Sequence, residues 1–381
     1  MTAQQRKLLF FVTEDWYFVA HRLALAIAAK EAGYAVSVAT RVRKHGEIIR
    51  AAGLRLIPFE NARSSLNPFG EVWTVMRLTR LWLREKPDVA HHVALKPVLY
   101  GSIAARIAGT PRVINAFVGM GWLSTPGTGL ARWLKPVVRC ALRLLLKRGT
   151  ALVENPDDAR LLVQIGVPAG LIRRIPGSGV DLRRFEPQPE PGGVPVVLLC
   201  ARLLWHKGVG EFVAAARLLK SRAIEARFVL AGEPDQANPS AIPQEQIGKW
   251  VEEGVVEYLG WVDDMPQLLA RSCVVCLPSY YGEGIPMSLI EAAACGRPIV
   301  TTDMPGCREA VHGGDNGLLV PPQNVEALAH ELARLIADPV LRRSMGARGR
   351  IRAEQEFGLD RVIRQILALY GERHSGTTSA A

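Results

Sequence analysis

The sequence lacks any long apolar run. No window of its 381 residues approaches the ~18–20 uninterrupted apolar residues that a membrane-spanning helix requires. The first strand-like run, LLFFV at 8–12, is followed at once by Glu14 and Asp15, so it has neither the length nor the small-residue cleavage site of a signal peptide. We therefore expect a cytoplasmic protein whose contacts with a membrane are peripheral.

Common metal, redox and dinucleotide motifs are also missing. The six cysteines stand in apolar or small-residue surroundings with no histidine at metal-ligand spacing. The pair Cys273 and Cys276 flanks the valines of a strand-like run and is interpreted as core, with redox or metal chemistry as the alternative. The paired aspartates at 157–158 and 263–264 have the pattern of helix starts or turns. Neither first strand–helix turn reads G-x-G-x-x-G, which argues against a dehydrogenase.

Acidic residues are absent from one long stretch. None lies between Asp88 and Glu154, and residues 1–186 hold 28 Lys and Arg against 13 Asp and Glu. The net charge of +11 therefore originates in the N-terminal half, where we expect an anionic partner. No helix-turn-helix, RRM or zinc-finger pattern accompanies this charge, so nucleic acid is not the expected partner.

Short strand-like runs alternate with helical patterns along the whole chain, which predicts parallel sheets covered by helices. The alternation restarts after the proline- and glycine-rich stretch 186–195, which has the composition of a linker. The predicted fold class is α/β, with two Rossmann-like doubly wound domains facing a central cleft. The boundaries are an N-terminal domain over 1–185, a linker over 186–195 and a C-terminal domain over 196–355. After the second domain we predict a helix over 356–372, which is expected to pack back on the N-terminal domain. A disordered tail is predicted over 373–381.

Two cations follow the first strand of the second domain. Arg202 stands at the end of an apolar strand, and Lys207 precedes Gly208 at the start of a helix. Cations at a strand end beside the free amides of a helix N-terminus form a site for a diphosphate. The alternative is that both are solvated loop residues.

Two carboxylates flank a glycine–proline turn in the stretch 280–298. Glu283 lies in the loop and Glu291 on the following helix, with Gly284, Ile285, Pro286 and Met287 between them. The glycines and the proline allow backbone amides to approach a ligand before the helix begins. Carboxylates accept hydrogen bonds from sugar and ribose hydroxyls; the alternative is a solvated loop charge and a helix-surface charge.

These motifs resemble family 4 of the retaining glycosyltransferases, which have the two-domain GT-B fold. The resemblance rests on the R-L-x-x-x-K-G element, the two glutamates of the stretch that begins P-S-x-x-G-E, and PGCREAV with NGLLVPP downstream. The runs FVTEDWYFVAHRL, HHVALKPVLYG and NAFVGMGW are similar to the bacterial capsule and O-antigen branch.

The resemblance implies a role for each domain and each motif. The domain over 1–185 would face the acceptor and the membrane, and the domain over 196–355 would bind the nucleotide sugar. Arg202 and Lys207 would bind the donor diphosphate and neutralise its growing charge, Glu283 would contact the donor sugar and Glu291 the ribose. The amides around Gly284, Ile285, Pro286 and Met287 would hold the phosphates or the sugar. This fold class is typically metal-independent, so we predict neither a metal nor another cofactor.

The acceptor side departs from the family pattern. TEDWYFVAH replaces the usual glycine-rich loop after the first strand, and His91-His92-Val93 replaces H-x-H. Asp15, His21 and His92 are the candidate sugar or acceptor contacts. Gly119 and Gly121 belong to an apolar, glycine-punctuated loop, 117–129, which suits a lipid-linked acceptor.

The segment 130–148 predicts a basic amphipathic helix for an anionic bilayer surface. Its predicted membrane contacts are Arg132, Trp133, Lys135, Arg139, Arg143 and Lys147. The alternative is a domain helix whose basic side is only solvated.

The sequence thus predicts a glycosyltransferase at the inner face of the plasma membrane. It would move a hexose or N-acetylhexosamine from a nucleotide-diphosphate sugar, expected to be a UDP sugar, to an undecaprenyl-diphosphate-linked saccharide in cell-surface polysaccharide assembly. The alternatives are an epimerase of UDP-N-acetylglucosamine with the same fold and a non-catalytic module that binds sugar nucleotides or lipids.

Overall fold

A computed structural model describes residues 5–60, 68–124 and 129–372. The chain divides into two compact units, Met1–Ile175 with Val362–Ala381, and Pro176–Arg361. The predicted disordered tail, 373–381, and residues 125–128 of the predicted acceptor loop lie outside the described residues.

The first unit is a parallel sheet with helices on its faces. Its strands are β1 (Lys7–Glu14), β2 (Ala35–Arg41), β3 (Arg55–Pro58), β4 (Val89–Val93), β5 (Arg112–Ala116), β6 (Thr150–Val153) and β7 (Ile172–Arg174), in the order β3-β2-β1-β4-β5-β6-β7. Its helices are α1 (Asp15–His21), α2 (Leu23–Glu31), α3 (Gly46–Ala51), α4 (Pro68–Glu85), α5 (Leu95–Ile107), α6 (Gly121–Ser124), α7 (Leu130–Leu145) and α8 (Pro156–Ile165).

The central strands of this sheet are buried on both faces. Residues 8–12 of β1 are at most 2% exposed, and they pair in parallel with β2 on one side and β4 on the other. Such near-continuous apolar runs are typical of parallel strands because helices cover both faces.

The second unit repeats this architecture. Its strands are β8 (Val196–Cys200), β9 (Arg227–Ala231), β10 (Glu257–Tyr258), β11 (Val274–Leu277), β12 (Ile299–Thr302) and β13 (Gly317–Val320), in the order β10-β9-β8-β11-β12-β13. Its helices are α9 (Val209–Ser221), α10 (Gln244–Glu252), α11 (Met265–Ala270), α12 (Met287–Ala294), α13 (Cys307–Ala310), α14 (Val325–Ala337) and α15 (Pro339–Arg352). The last helix, α16 (Leu359–Gly371), follows a π-helical turn, Ala353–Phe357.

The units meet in sequence at Ile175 and Pro176, ten residues before the predicted linker 186–195. The predicted linker is tied to the second unit. The buried guanidinium of Arg297 donates to the carbonyl oxygens of Gln188 and Pro189, and that of Arg342 pairs with Glu190. Most of α16, from Val362 onward, belongs to the first unit.

Among the described residues, the helices are all too short or too polar to cross a lipid bilayer.

Candidate functional site

The predicted catalytic residues lie at the centre of the second sheet. From β8 the chain adds strands outward to β10 on one side, and from β11 it adds strands outward to β13 on the other, so the strand order reverses between β8 and β11. Sheets of this kind bind ligands at this switch point, outside the carboxyl ends of the strands. Arg202 follows β8, Lys207 ends a short 3-10 helix before α9, and Glu283 follows β11. The topology thus brings the three side chains to the same edge of the sheet.

Lys207 and Glu283 form an ion pair between Nζ and Oε2. Both side chains are largely enclosed, at 12% and 18% exposure. Gly208, directly after Lys207, has a φ of 76°, and a Cβ there would lie 2.0 Å from the carbonyl oxygen of Pro278. Only glycine permits this approach of the two loop backbones, which places the lysine beside the glutamate.

Arg202 is held by a carboxylate that the sequence analysis did not identify. Its Nη1 donates to Oδ2 of Asp235 at 2.8 Å, and Asp235 stands in the loop after β9. The two loops are further joined by backbone hydrogen bonds, including the amide of Trp205 to the carbonyl of Ser240 at 2.8 Å. Asp235 could have been found from the rule that residues after neighbouring strands meet, because β9 is next to β8.

The loop before α12 is packed backbone against backbone. Gly284, Ile285 and Pro286 are buried and Met287 is half-buried at the start of the helix. Gly306, in the loop after β12, has a φ of 83°, and a Cβ there would lie 2.0 Å from the carbonyl oxygen of Gly284. The start of α12 is therefore firmly placed, and the first amides of such a helix can bind an anion.

Glu291 has a different environment from Glu283. It lies on the second turn of α12 between buried Ile290 and Ala292. Burial raises the pKa of its carboxyl to about 7, and the nearby guanidinium of Arg184 acts in the opposite direction. One carboxylate is thus ion-paired in the loop, while the other lies half-buried on the helix with a pKa near neutral.

The C-x-x-C pair belongs to the core, as the sequence interpretation held. Cys273 and Cys276 are buried within the hydrophobic cluster of the second unit. Burial raises the pKa of both thiols, so both are neutral thiols at physiological pH.

Asp15 in the first unit serves the fold. It is fully buried, and its carboxylate accepts hydrogen bonds from the backbone amides of Trp16 (2.8 Å), Arg43 (2.6 Å) and His45 (2.9 Å). The predicted sugar contact is corrected, because these bonds fix the start of α1 to the loop after β2 and leave the side chain without solvent access.

His92 is also a buried residue rather than a surface contact. Its Nδ1 lies 2.8 Å from Oδ1 of Asn115, its ring packs against Gly101, and burial lowers its pKa to about 4. A substrate cannot touch a side chain with no accessible surface, so its predicted acceptor contact is corrected. The strand end that suggested a site is covered by α5.

The remaining acceptor candidates stay predictions. His21 is half-buried, and its ring packs at a tilt of 32° against that of Tyr17, with ring centroids 4.3 Å apart. Gly119 has a φ of 109°, and Gly121 begins α6.

Near these glycines lies a buried carboxyl, that of Asp158, which the sequence analysis interpreted only as part of a helix start or turn. Asp158 receives a hydrogen bond from the Met120 backbone, and burial raises its pKa to about 7. The helix-start interpretation also holds, since the Asn155 side chain caps α8 by accepting from the Asp158 amide at 2.8 Å.

Comparison with known proteins identifies the family through both units. Residues 194–338 match the family described as Glycosyl transferases group 1, and residues 7–153 match Glycosyl transferase 4-like. N,N'-diacetylbacillosaminyl-diphospho-undecaprenol alpha-1,3-N-acetylgalactosaminyltransferase of Campylobacter jejuni is 30% identical over 92% of this chain and 94% of its own length. The chain is a group 1 glycosyltransferase.

Other relatives and solved structures agree with this family and fold. The UDP-Gal:alpha-D-GlcNAc-diphosphoundecaprenol alpha-1,3-galactosyltransferase of Escherichia coli is 26% identical to this chain, over 78% of each of the two proteins. The structure of HepE from Anabaena in complex with UDP has a TM-score of 0.77 at 20% identity, covering 96% of this chain and 99% of HepE. Sucrose-phosphate synthase of Thermosynechococcus elongatus has a TM-score of 0.79 at 22% identity, covering 96% and 98%. The predicted GT-B class of two parallel-sheet domains is confirmed.

One of the predicted membrane contacts on the basic helix α7 is not on the surface of the glycosyltransferase. Lys135 is buried, with Nζ 5.4 Å from the Trp122 ring centroid, and burial together with Arg139 lowers its pKa. It lies seven residues before the fully buried Leu142 and therefore on the inner side of α7.

The other predicted membrane contacts of this segment are exposed. They are Arg132, Trp133, Arg139, Arg143 and Lys147. Pro136 does not end the helix, which continues to Leu145.

Proposed function

We propose that this glycosyltransferase moves a hexose or N-acetylhexosamine from a UDP sugar to an undecaprenyl-diphosphate-linked saccharide, with retention of configuration, in the assembly of a cell-surface polysaccharide. The Campylobacter and Escherichia relatives support the acceptor class, because their names describe transfer to undecaprenyl-diphosphate-linked sugars. UDP in the name of the Escherichia relative and in the HepE complex supports the donor class.

The contact between Lys207 and Glu283 is the observation that carries this proposal. A sugar nucleotide has a diphosphate and sugar hydroxyls on adjacent groups. A cation and a carboxylate side by side at a strand switch point match that pair: Lys207 for the phosphate and Glu283 for a sugar hydroxyl. Arg202 adds a second cation after the same strand, and Glu291 accepts from the ribose hydroxyls.

In the proposed reaction the bond between the anomeric carbon and the diphosphate oxygen breaks as the bond to the acceptor oxygen forms on the same face. The acceptor hydroxyl proton passes to the leaving diphosphate, so no enzyme nucleophile takes part. Arg202 and Lys207 oppose the negative charge that grows on the diphosphate. Such preorganised electrostatic stabilisation is usually the largest single contribution to a lowered barrier.

The acceptor implies a site of action at the cytoplasmic face of a membrane. The exposed cations of α7 and the following turn support this part of the proposal, since each basic residue near an anionic bilayer contributes on the order of 1 kcal/mol. His21, Gly119 and Gly121 are proposed to contact the acceptor.

A panel of sugar nucleotides tests the donor assignment by protection against thermal unfolding. A donor present at about 100 times its dissociation constant should stabilise the protein by about 2.7 kcal/mol. We expect one UDP sugar to stabilise the wild-type protein and to have a smaller effect on Arg202→Ala. NMR of the product formed with a synthetic lipid-linked acceptor then reports the anomeric configuration. The proposal fails if no sugar nucleotide stabilises the protein, or if the product is inverted.

A further inference from the structure

The helix α4 has apolar side chains on two opposite sides. On its inner side Leu78, Leu81 and Trp82 are buried in the core of the first unit. On its outer side five large apolar side chains are exposed, by 43% to 86%: Phe69, Val72, Trp73, Met76 and Leu83. Their spacing of three, four or seven residues places them on one stripe along the helix. The core therefore accounts for only one of the two apolar sides.

The charges on the outer side of α4 are positive. Arg77, Arg80 and Arg84 are exposed along the stripe, and the Arg80 guanidinium lies 5.8 Å from the centroid of the Trp73 ring. Within Pro68–Glu85 the two acidic side chains are already paired. Glu71 accepts from Lys96 Nζ at 2.8 Å and Tyr100 OH at 2.6 Å, and Glu85 pairs with Arg55. Tryptophan, other large apolar groups and arginine are the composition of a helix that lies at an anionic bilayer surface.

A second stripe of the same kind lies on α7. Trp133, Val137 and Leu144 are exposed by 51% to 75% on the side away from buried Leu142 and Leu146. Both α4 and α7 pack against α5, so the three helices form one layer on the sheet. Each of the three begins beyond the carboxyl end of a parallel strand, and Trp73 and Trp133 both lie near the beginning of their helices. The two tryptophans are thus toward the same edge of the sheet.

We propose that the outer stripe of α4 is the apolar anchor by which the first unit docks on an anionic phospholipid bilayer, together with the stripe of α7. The arginines select the anionic surface, and the apolar side chains enter the boundary between headgroups and acyl chains. This inference rests on the proposed function, because a lipid-linked acceptor requires an enzyme that works at the bilayer. It goes beyond that function by assigning the anchor to α4, a helix outside the basic segment 130–148 that the sequence analysis proposed as the membrane contact.

Sedimentation with unilamellar vesicles tests the anchor on the full-length protein. The variant Val72→Ser/Trp73→Ser/Met76→Ser should partition about tenfold more weakly than wild type onto phosphatidylglycerol–phosphatidylethanolamine vesicles, because the buried apolar area is lost. The matched control is Trp261→Ser/Val340→Ser/Ile351→Ser, which removes three exposed apolar side chains from the second unit and should leave partitioning unchanged. The change Arg80→Gln/Arg84→Gln should weaken binding to these vesicles but not to phosphatidylcholine vesicles.

Three results would overturn the anchor. The first is unchanged partitioning of the α4 variant, and the second is equal loss in the control. The third is an α4 variant that dissociates a wild-type dimer in sedimentation velocity while still binding vesicles, which would make the stripe an interface between two copies. Transfer to an acceptor in detergent separates this inference from the proposed function. If wild type transfers sugar there but does not sediment with anionic vesicles, the anchor is wrong and the function stands.

Discussion

The pairing of Arg202 with Asp235 makes a residue of the β9 loop part of the proposed donor site. A guanidinium has five donors in a fixed plane, so a carboxylate that holds one nitrogen also sets the direction of the others. The backbone bonds between the loops keep this carboxylate in place, among them the amide of Leu203 to the carbonyl of Glu233 at 3.0 Å. Asp235 is therefore a positioning residue that acts through Arg202.

A double-mutant cycle measures this role. We expect Arg202→Ala to raise the barrier by roughly 2.7–4 kcal/mol, in line with the loss of one preorganised electrostatic contact. Asp235→Asn alone should cause a smaller loss of kcat, and in the Arg202→Ala background it should cause none, because residues that act as a unit are not additive. Full additivity in the double variant would show that Asp235 acts independently of the arginine. Asp263→Asn, in the loop after β10, is the matched control and should leave kcat unchanged.

The two glutamates should respond differently to replacement by Gln. Glu283→Gln should mainly lower kcat, since its partner groups change charge as the glycosidic bond breaks. Glu291→Gln should mainly weaken binding of UDP, because ribose contacts are the same in the ground and transition states. Wild-type UDP affinity should also rise between pH 6 and pH 8 as the carboxyl of Glu291, with its pKa of about 7, loses its proton.

Calorimetric titration with UDP at several pH values checks this pair of expectations. The Glu291→Gln variant keeps the titration of the nucleotide's own phosphate, so the difference between wild type and this variant isolates the glutamate. Parallel pH profiles for the two proteins, or equal affinity at pH 8, would remove the ribose assignment.

Sequence motifs predicted the central cations and carboxylates but not their partners. Arg202, Lys207 and Glu283 could be placed together because parallel strands end at one edge of a sheet. Asp235 required the strand order, which local patterns do not contain. Lys135 and His92 were assigned to surfaces because residue type alone does not reveal which side of an element is covered. Their burial depends on α5 and α7, which pack over the sheet.

At the scale of elements, α16 completes the core of the first unit. Val362, Ile366, Leu369 and Tyr370 are buried in the same cluster as β1 and β4. The Tyr370 hydroxyl lies 2.5 Å from Nδ1 of His91, a fully buried residue whose pKa is lowered well below its usual value by burial. The helix therefore provides a polar partner for a neutral histidine in addition to apolar packing.

Tyr370→Phe tests this contact. It keeps the ring and removes only the hydroxyl, leaving a buried imidazole nitrogen without its partner, so we expect a loss of about 1–3 kcal/mol in the free energy of unfolding. Urea unfolding followed by circular dichroism measures the change. Tyr34→Phe, in the same core cluster, is the control and should cost less, because the Tyr34 hydroxyl accepts only a long hydrogen bond, 3.4 Å, from the exposed Arg6. Equal stability of Tyr370→Phe and wild type would show that the His91 contact contributes nothing net.

Helix boundaries were predicted well where a single periodic face was long. The pattern over 130–148 corresponds to α7 at Leu130–Leu145, which begins at the predicted residue and ends three residues early. The division of the chain was harder to read. A proline- and glycine-rich composition indicated a linker at 186–195, but buried Arg297 and Arg342 bind it to the second unit. Such long-range ties leave no trace in local composition.

At the scale of the whole molecule, the described residues of each unit include a carboxyl whose pKa is raised by burial to near neutral. These are Asp158 in the first and Glu291 in the second, each with a pKa raised to about 7 from ordinary values of 3.8 and 4.5. The folded protein therefore binds these protons more tightly than the unfolded chain does. Their contribution to stability is fully present below about pH 4 and is lost as the pH rises through about 7.

Asp158→Asn should reduce this part of the pH dependence. Each pKa unit corresponds to about 1.4 kcal/mol, so the free energy of unfolding of wild type relative to the variant should decline by a few kcal/mol between pH 4 and pH 8. Glu154 and Asp157 add to the raised pKa of Asp158, while the bonds from Asn155 and Met120 oppose it. Asp157→Asn removes the neighbouring carboxyl, which is paired with Arg160 and makes the smallest contribution to the raised pKa of Asp158, so this control should retain most of the pH dependence. Urea unfolding of the three proteins at several pH values gives the comparison. If the Asp158→Asn and wild-type curves run parallel across this range, Asp158 has the same pKa in the folded and unfolded states. Its burial in the first unit would then not disfavour the ionised form of the carboxyl.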